Sequence, residues 1–139
     1  MLKVVFDSNI FISGIIFGGN PRKVIDLVIE GKIQLCISSD ILIEIKEVLE
    51  RDKFGFSPEI TQQIIIEIEL LSEFITPTKK HSAVKRDAGD NIIVDCAVEA
   101  GADYIITGDD DLLSLREYKK VKIISARDFI KLPLPGRGY

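Results

Sequence analysis

The sequence predicts an α/β fold, a three-layer α/β/α sandwich around a central parallel sheet of four to five strands. Short apolar runs of strand length alternate along the chain with longer segments whose apolar residues recur at helical spacing. Strands that alternate with helices form parallel sheets covered on both faces, and such strands are apolar almost throughout. The predicted strands are residues 2–6, 33–37, 74–77, 104–107 and 122–124.

Six helices are predicted from apolar spacing and from capping residues. Pro21 suits the first turn of one helix, the Ser38-Ser39 pair supplies N-cap chemistry for the next, and Gly101 ends a later one. Residues 81–89 are polar and are predicted to form a loop. The predicted helices are residues 21–30, a segment from Ser38 through Leu49 that ends before Gly55, 57–73, 90–100, 109–115 and 126–132.

The length and composition predict a single domain. A chain of 139 residues with 46% hydrophobic content can bury one ordinary core, and no linker, low-complexity tract or fixed repeat divides it. We place the domain at residues 1–132 and expect 133–139 to be a flexible C-terminal tail. Cys36 and Cys96 lack the spacing of a zinc site, so we expect both to be buried, reduced thiols.

The net charge of −4 argues against a protein that binds nucleic acid through a uniformly basic surface. A nuclease stays possible, because carboxylates gathered in one site lower the net charge while local basic clusters face phosphates. The alternative is that these clusters are solvated loop and helix ends. They are Lys79-Lys80-His81, Lys85-Arg86 and Lys119-Lys120-Val121-Lys122.

We expect a cytoplasmic protein that does not enter a membrane. No signal peptide precedes Asp7, and no apolar stretch approaches the roughly 18–20 residues that a membrane helix needs.

Acidic residues follow two of the predicted strands, Asp7 after the first and Asp109 after the fourth. Ligands of open parallel sheets bind at the carboxyl ends of the strands, so neighbouring strands would bring these two carboxylates together. Clustered carboxylates repel unless a cation or a shared proton offsets their charge. A divalent metal with oxygen ligands, Mg²⁺ or Mn²⁺, is therefore the simplest explanation.

Other acids have both a functional and a structural interpretation. Asp90 opens a predicted helix, where the helix dipole alone would favour a carboxylate, and Asp7 could equally be an N-cap. Glu44 lies on a helix among apolar residues, but the same helix has a charged side on which Glu44 could be solvated. Three successive acids after the fourth strand exceed what capping requires, and Asp111 is predicted as an outer member of a site built on Asp109.

Polar residues near these acids are predicted to support them. Thr107 offers a hydroxyl that can orient a carboxylate or a metal-bound water, and Asn9 can either bond to Asp7 or shape the turn. Asp87 is predicted as a helix cap. Asp95 is rotated about 140° from Asp90 around an α-helix, so it is not expected on the same face.

Four acids in this order resemble the acidic quartet of the PIN domain family of metal-dependent ribonucleases: Asp7, Glu44, Asp90 and Asp109. The resemblance covers nearly the whole chain. It rests on residues 4–9, the helix carrying Glu44, residues 87–97 and residues 102–113. By the family pattern the four acids would bind Mg²⁺ or Mn²⁺, with Asn9 and Thr107 in support. Residues 107–113, Thr-Gly-Asp-Asp-Asp-Leu-Leu, resemble the branch that contains toxins of toxin-antitoxin pairs.

The resemblance implies partners as well as an activity. RNA would be the substrate, an antitoxin protein would hold the enzyme in check, and many relatives form homodimers through helices near the edge of the sheet. The apolar segment 60–71 could form such an interface, or it could be a core helix packed on its neighbour.

Three alternatives differ in class. A PIN-like module could bind RNA or protein without cutting. A haloacid-dehalogenase-like phosphatase would also place an acid like Asp7 after its first strand, but Asn9 stands where its acid-base aspartate would be and no well-placed lysine precedes Asp109. A receiver domain would need an acidic pair at the end of the first strand, where only Asp7 is present.

Overall fold

The computed structural model describes residues 1–84 and 88–134, and in that part of the chain one six-stranded sheet lies between layers of helices. The strands are β1 (Lys3–Phe6), β2 (Gln34–Ile37), β3 (Ser72–Phe74), β4 (Tyr104–Ile106), β5 (Glu117–Tyr118) and β6 (Val121–Ile124). Their order across the sheet is β3-β2-β1-β4-β6-β5. Neighbouring strands are parallel except β5 and β6, which are antiparallel.

Helices connect the strands and cover both faces of the sheet. They are α1 (Ser8–Ile16), α2 (Gly19–Ile29), α3 (Ser39–Leu49), α4 (Pro58–Leu71), α5 (Ala88–Ala100), α6 (Asp110–Leu115) and α7 (Ala126–Phe129), with a 3₁₀ turn at Asp52–Phe54. Right-handed crossovers put α1 to α4 on one face and α5 and α6 on the other. Accordingly, α5 packs on β1, β2 and β4, and α6 packs on β6. The predicted three-layer α/β/α class is confirmed.

The described sheet has one strand more than the four to five that were predicted. The additional strand, β5, has only two residues, too few to give a periodic pattern. Lys119 and Lys120 join it to β6, and both have positive φ, 45° and 71°. Such a two-residue turn normally contains Asn-Gly, so neither strand length nor turn residues indicated this hairpin.

Helix α1 was not predicted from the sequence. Its apolar residues are continuous rather than on one side, and Ile10, Phe11 and Ile12 are all buried. Gly14 allows this burial, because a Cβ there would lie 2.5 Å from Cδ1 of Ile25 and 3.1 Å from the backbone of α2. A larger residue at position 14 would require the Ile25 side chain to move and the backbone of α2 to shift slightly.

The predicted boundary between helix 57–73 and strand 74–77 is two residues too late. Ser72 leaves the helix with extended φ and ψ, and its hydroxyl donates to the carbonyl of Ile68 at 2.6 Å. β3 therefore begins at Ser72, and the residue types did not indicate this change from helix to strand. Elsewhere the shifts are similar: α2 begins at Gly19, α5 at Ala88, and α7 ends at Phe129.

The core consists of the central strands and the helix faces against them. Val4, Val5 and Phe6 of β1 are at most 1% exposed. Cys36 and Cys96 are free and buried, as predicted. Burial is the main cause that raises the pKa of the Cys36 thiol to about 11 and that of Cys96 to about 12, with smaller contributions from Glu73 and from Cys36 respectively. Both thiols are therefore neutral at physiological pH and are not nucleophiles.

The domain boundary at residue 132 stays a prediction. Leu134 is buried in the core, whereas the flexible tail was predicted to begin at Pro133. Residues 135–139 lie outside the described part. No helix among the described residues has the length and apolar character required to cross a membrane.

Candidate metal centre

The carboxyl ends of β1 and β4 bring Asp7 and Thr107 together. These strands are parallel neighbours with Phe6 opposite Ile106, so the residues that follow them meet at one edge of the sheet. The Thr107 hydroxyl donates to Oδ2 of Asp7 at 2.8 Å. Both side chains are buried, so this hydrogen bond fixes the orientation of the Asp7 carboxylate.

The same hydroxyl links Asp7 to Asp109. The backbone N–H of Asp109 donates to Oγ1 of Thr107 at 3.0 Å. Oδ2 of Asp109 accepts from the backbone N–H of Leu112 at 2.9 Å and so caps α6. Asp7 likewise caps α1, accepting from the backbone N–H of Asn9 at 3.4 Å. Both aspartates are therefore helix N-caps.

Three carboxylates converge at this edge of the sheet and are called the acidic group below: Asp90, Asp109 and Asp111. One carboxylate oxygen from each lies within 4.8 Å of the others. Asp90 is buried, Asp109 is half-buried and Asp111 is exposed, so the group is open to solvent on one side. Carboxylates at this separation repel, and a divalent cation would offset that repulsion. An all-oxygen donor set suits Mg²⁺ or Mn²⁺ rather than a metal that prefers nitrogen or sulfur.

The acidic group overlaps the predicted site without coinciding with it. Asp90 and Asp109 are shared, and Asp111, predicted as an outer member, is a full member of the group. Among the described residues, Asp7 and Glu44 are not part of it. Asp7 is joined to it through Thr107, while Glu44 is half-buried on α3, which packs against α1 and α5. Metal binding by Asp7 and Glu44 stays a prediction.

Asn9 contacts Asp7 through its backbone, and part of the loop before α5 lies outside the described residues. The Asn9 side chain is exposed, and the hydrogen bond to Asp7 comes from its backbone N–H. The predicted cap Asp87 and the basic pair Lys85-Arg86 lie outside the described residues.

Residues 78–84, called the strap below, lie along α5. The strap is attached by side chains spaced four residues apart on that helix, a spacing that places them on one face. Asn91 binds Val84 through both backbone groups, Asp95 accepts from the backbone N–H of His81, and Glu99 accepts from both the backbone and the hydroxyl of Thr78. Asp95, which the sequence placed away from Asp90, therefore positions the strap.

Glu99 is ionised at neutral pH. Hydrogen bonds from the hydroxyl and the backbone N–H of Thr78 are the main causes that lower the pKa of its carboxyl. Since this pKa is lowered on folding, the attachment is present at neutral pH and is lost as the pH falls through the lowered value.

A contact between His81 and Tyr118 joins the strap to β5. The Tyr118 hydroxyl lies 3.5 Å from Nδ1 of His81, and the two rings meet edge to face with centroids 5.7 Å apart. Nothing in the sequence signalled this contact, because β5 was not predicted and the two residues are far apart along the chain.

Comparison with known proteins identifies similar chains. Residues 3–111 match the model of a family described as PIN domain. An uncharacterized protein of Methanocaldococcus jannaschii is 37% identical over 148 aligned positions, which cover 96% of this chain and 87% of that protein. The crystal structure of VapBC2 from Rickettsia felis bound to a DNA fragment from their promoter matches with a TM-score of 0.60 and 13% identity, covering 88% of this chain and 97% of that one. At that identity, the match shows a common fold.

Proposed function

Because this chain belongs to the PIN domain family, we propose that it is a metal-dependent endoribonuclease that hydrolyses RNA phosphodiester bonds. The observation that carries the proposal is the acidic group at the carboxyl edge of the sheet. PIN domains are generally nucleases, and membership of this family leaves the phosphatase alternative without support.

Mg²⁺ or Mn²⁺ would be held by Asp90, Asp109 and Asp111, with Asp7 and Glu44 completing the ligand set by the family pattern. Such a metal, when bound, activates a water and stabilises the charge that develops at the scissile phosphate. Thr107 acts indirectly, since its single hydroxyl proton goes to Asp7 while its oxygen accepts from the Asp109 backbone. It thereby sets the positions of two carboxylates relative to each other.

No histidine is required as a general base in this scheme. The single histidine of the chain is His81. It lies on the strap, where its backbone is bonded to Asp95 and its ring contacts Tyr118. These contacts suit a positioning or binding role better than proton transfer at the acidic group.

We further propose that the protein is the toxin of a toxin-antitoxin pair and acts in the cytoplasm. The resemblance of residues 107–113 to the toxin branch supports this, as does the fold shared with the VapBC2 complex of Rickettsia felis. A cognate antitoxin would then be the protein partner. A homodimer through α4 is also proposed, because that helix buries Ile65 and Ile68 but exposes Ile60, Ile66 and Leu70.

Cleavage of a mixed RNA panel tests the proposed activity. The full-length protein and Asp7→Asn, prepared identically, would be incubated with labelled structured and single-stranded RNAs in Mn²⁺, Mg²⁺ or EDTA. We expect cuts that need metal and that are absent with the variant, because Asp7 is joined to the acidic group through Thr107.

Undiminished cleavage by the variant or in EDTA would contradict the proposal. RNA binding without any cutting under all metal conditions would instead favour the non-cleaving module.

A further inference from the structure

We propose that a basic and aromatic surface, called the platform below, binds single-stranded RNA. Its members come from the strap and from the β5–β6 hairpin: Lys79, Lys80, His81, Tyr118, Lys119 and Lys120. The inference rests on the proposed ribonuclease function and specifies which surface guides the substrate.

The His81–Tyr118 contact makes one surface out of two basic clusters that are distant in sequence. Each of these rings is followed or preceded directly by lysines, and all four lysines of the platform are exposed. Nζ of Lys119 lies 6.0 Å from the centroid of the Tyr118 ring. Exposed cations around aromatic rings are the combination with which proteins bind single strands, since cations contact phosphates and rings stack on bases.

The backbone of the hairpin turn is unfavourable for its residues. Lys119 and Lys120 have φ of 45° and 71°, a region that favours glycine or asparagine and disfavours a long side chain. Asn-Gly would form the same turn without this strain. Lysines at strained positions point to a role for the side chains themselves, and strain of this kind collects at functional sites.

The platform reaches from the middle of α5 to the amino edge of the sheet, opposite the carboxyl edge where the acidic group lies. The strap ends at Val84, which is bonded to Asn91, the residue after Asp90. His81 is bonded to Asp95, and five residues of α-helix separate Asp95 from Asp90 by about 7.5 Å along the axis. The hairpin turn precedes Val121 at the amino end of β6, whereas the acidic group lies past the carboxyl end of the neighbouring strand β4. A strand bound on the platform would therefore reach the acidic group only by running along α5.

Acidic residues near the platform do not cancel its charge. Asp95 and Glu99 are engaged with the backbone of the strap, and Glu117 is the acidic residue of β5. Asp103, at the amino edge, accepts from the backbone N–H of Lys3, and the four lysines are a local concentration of basic residues in a chain whose net charge is −4. An acidic protein partner would contact the lysines but would not need the two aromatic rings. The combination of lysines and rings therefore favours a nucleic acid as the ligand.

The double substitution Lys119→Asn/Lys120→Gly tests the platform. It removes two cations and supplies the residues that the turn prefers, so we expect the melting temperature to be unchanged or raised. Binding of a labelled single-stranded RNA to the full chain would be measured in EDTA, where the proposed nuclease does not cut, across a series of NaCl concentrations. We expect about tenfold weaker binding at low salt and a slope of log K against log salt that is smaller by about 1.4.

A matched control removes two cations elsewhere. Lys23 and Lys131 are exposed residues in α2 and after α7, and Lys23→Asn/Lys131→Asn changes the net charge equally. Binding by this control should stay near that of the unaltered protein. Tyr118→Ser should weaken binding, while Tyr118→Phe, which keeps the ring, should restore it.

Equal affinities and equal salt slopes for the hairpin variant and its control would overturn the proposal that the platform binds RNA. That result is distinguishable from failure of the proposed function, because binding in EDTA does not depend on cleavage. If the platform binds RNA but the protein shows no metal-dependent cutting, the proposed ribonuclease activity is overturned instead.

Discussion

Asp109→Asn is expected to reduce metal-dependent RNA cleavage by about 100-fold or more, because a bound metal contributes several kcal/mol to the transition state. Asp109 supplies a carboxylate to the acidic group and also caps α6. Asparagine keeps an oxygen that can cap the helix, so the loss should come from the missing charge rather than from unfolding.

Asp110→Asn is the matched control for this substitution. Asp110 is the next residue, is exposed, and is not a member of the acidic group among the described residues. It should leave the cleavage rate within about twofold of the unaltered protein, as surface substitutions usually do. Single-turnover cleavage of one labelled RNA in Mn²⁺ would be measured for all three proteins. An equal loss for both variants, or none for Asp109→Asn, would contradict the assignment.

Thr107→Val is expected to lower both stability and activity. The substitution keeps the shape of the side chain but removes the hydroxyl that joins Asp7 to the backbone of Asp109. A buried hydrogen bond to a charged group is involved, so the free energy of unfolding should fall by about 1–3 kcal/mol. The maximal cleavage rate should fall by about 10- to 100-fold, the usual effect of losing a group that orients metal ligands.

Thr107→Ser distinguishes the hydroxyl from the packing of the methyl group. It keeps the donor and should recover most of the cleavage rate, measured at saturating RNA and Mn²⁺. Thr107→Val proteins that are less stable but cleave at the original rate would show that the hydroxyl is only structural.

The sequence predicted the sheet well where burial alone determines the pattern. β1, β2, β4 and β6 are mostly apolar, and each was located to within about two residues, the usual uncertainty for element ends. α1 was not predicted because its buried apolar residues Ile10, Phe11 and Ile12 are consecutive, so they show no helical period. β5 was not predicted because its turn contains Lys119 and Lys120 in a backbone conformation that lysine disfavours.

The sequence predicts the proximity of two acidic residues where the sheet topology fixes their positions. Asp7 and Asp109 follow strands that are neighbours in the sheet, so their proximity could be expected from the chain alone. Membership of Asp111 in the acidic group depends on the direction of its side chain at the start of α6. The role of Asp95 depends on the path of the strap. The membership of Asp111 in the acidic group and the role of Asp95 cannot be predicted from spacing in the sequence, because both depend on tertiary packing.

Thermal unfolding in increasing Mn²⁺ tests the central claim, that the acidic group binds a divalent metal. At an Mn²⁺ concentration about 100 times the Kd, binding should stabilise the protein by about 2.7 kcal/mol and raise its Tm by roughly 5–10 °C. Asp110→Asn should show the same rise, and Asp109→Asn should show little or none. An unchanged Tm for the unaltered protein, or an equal rise for Asp109→Asn, would contradict a metal centre at this group.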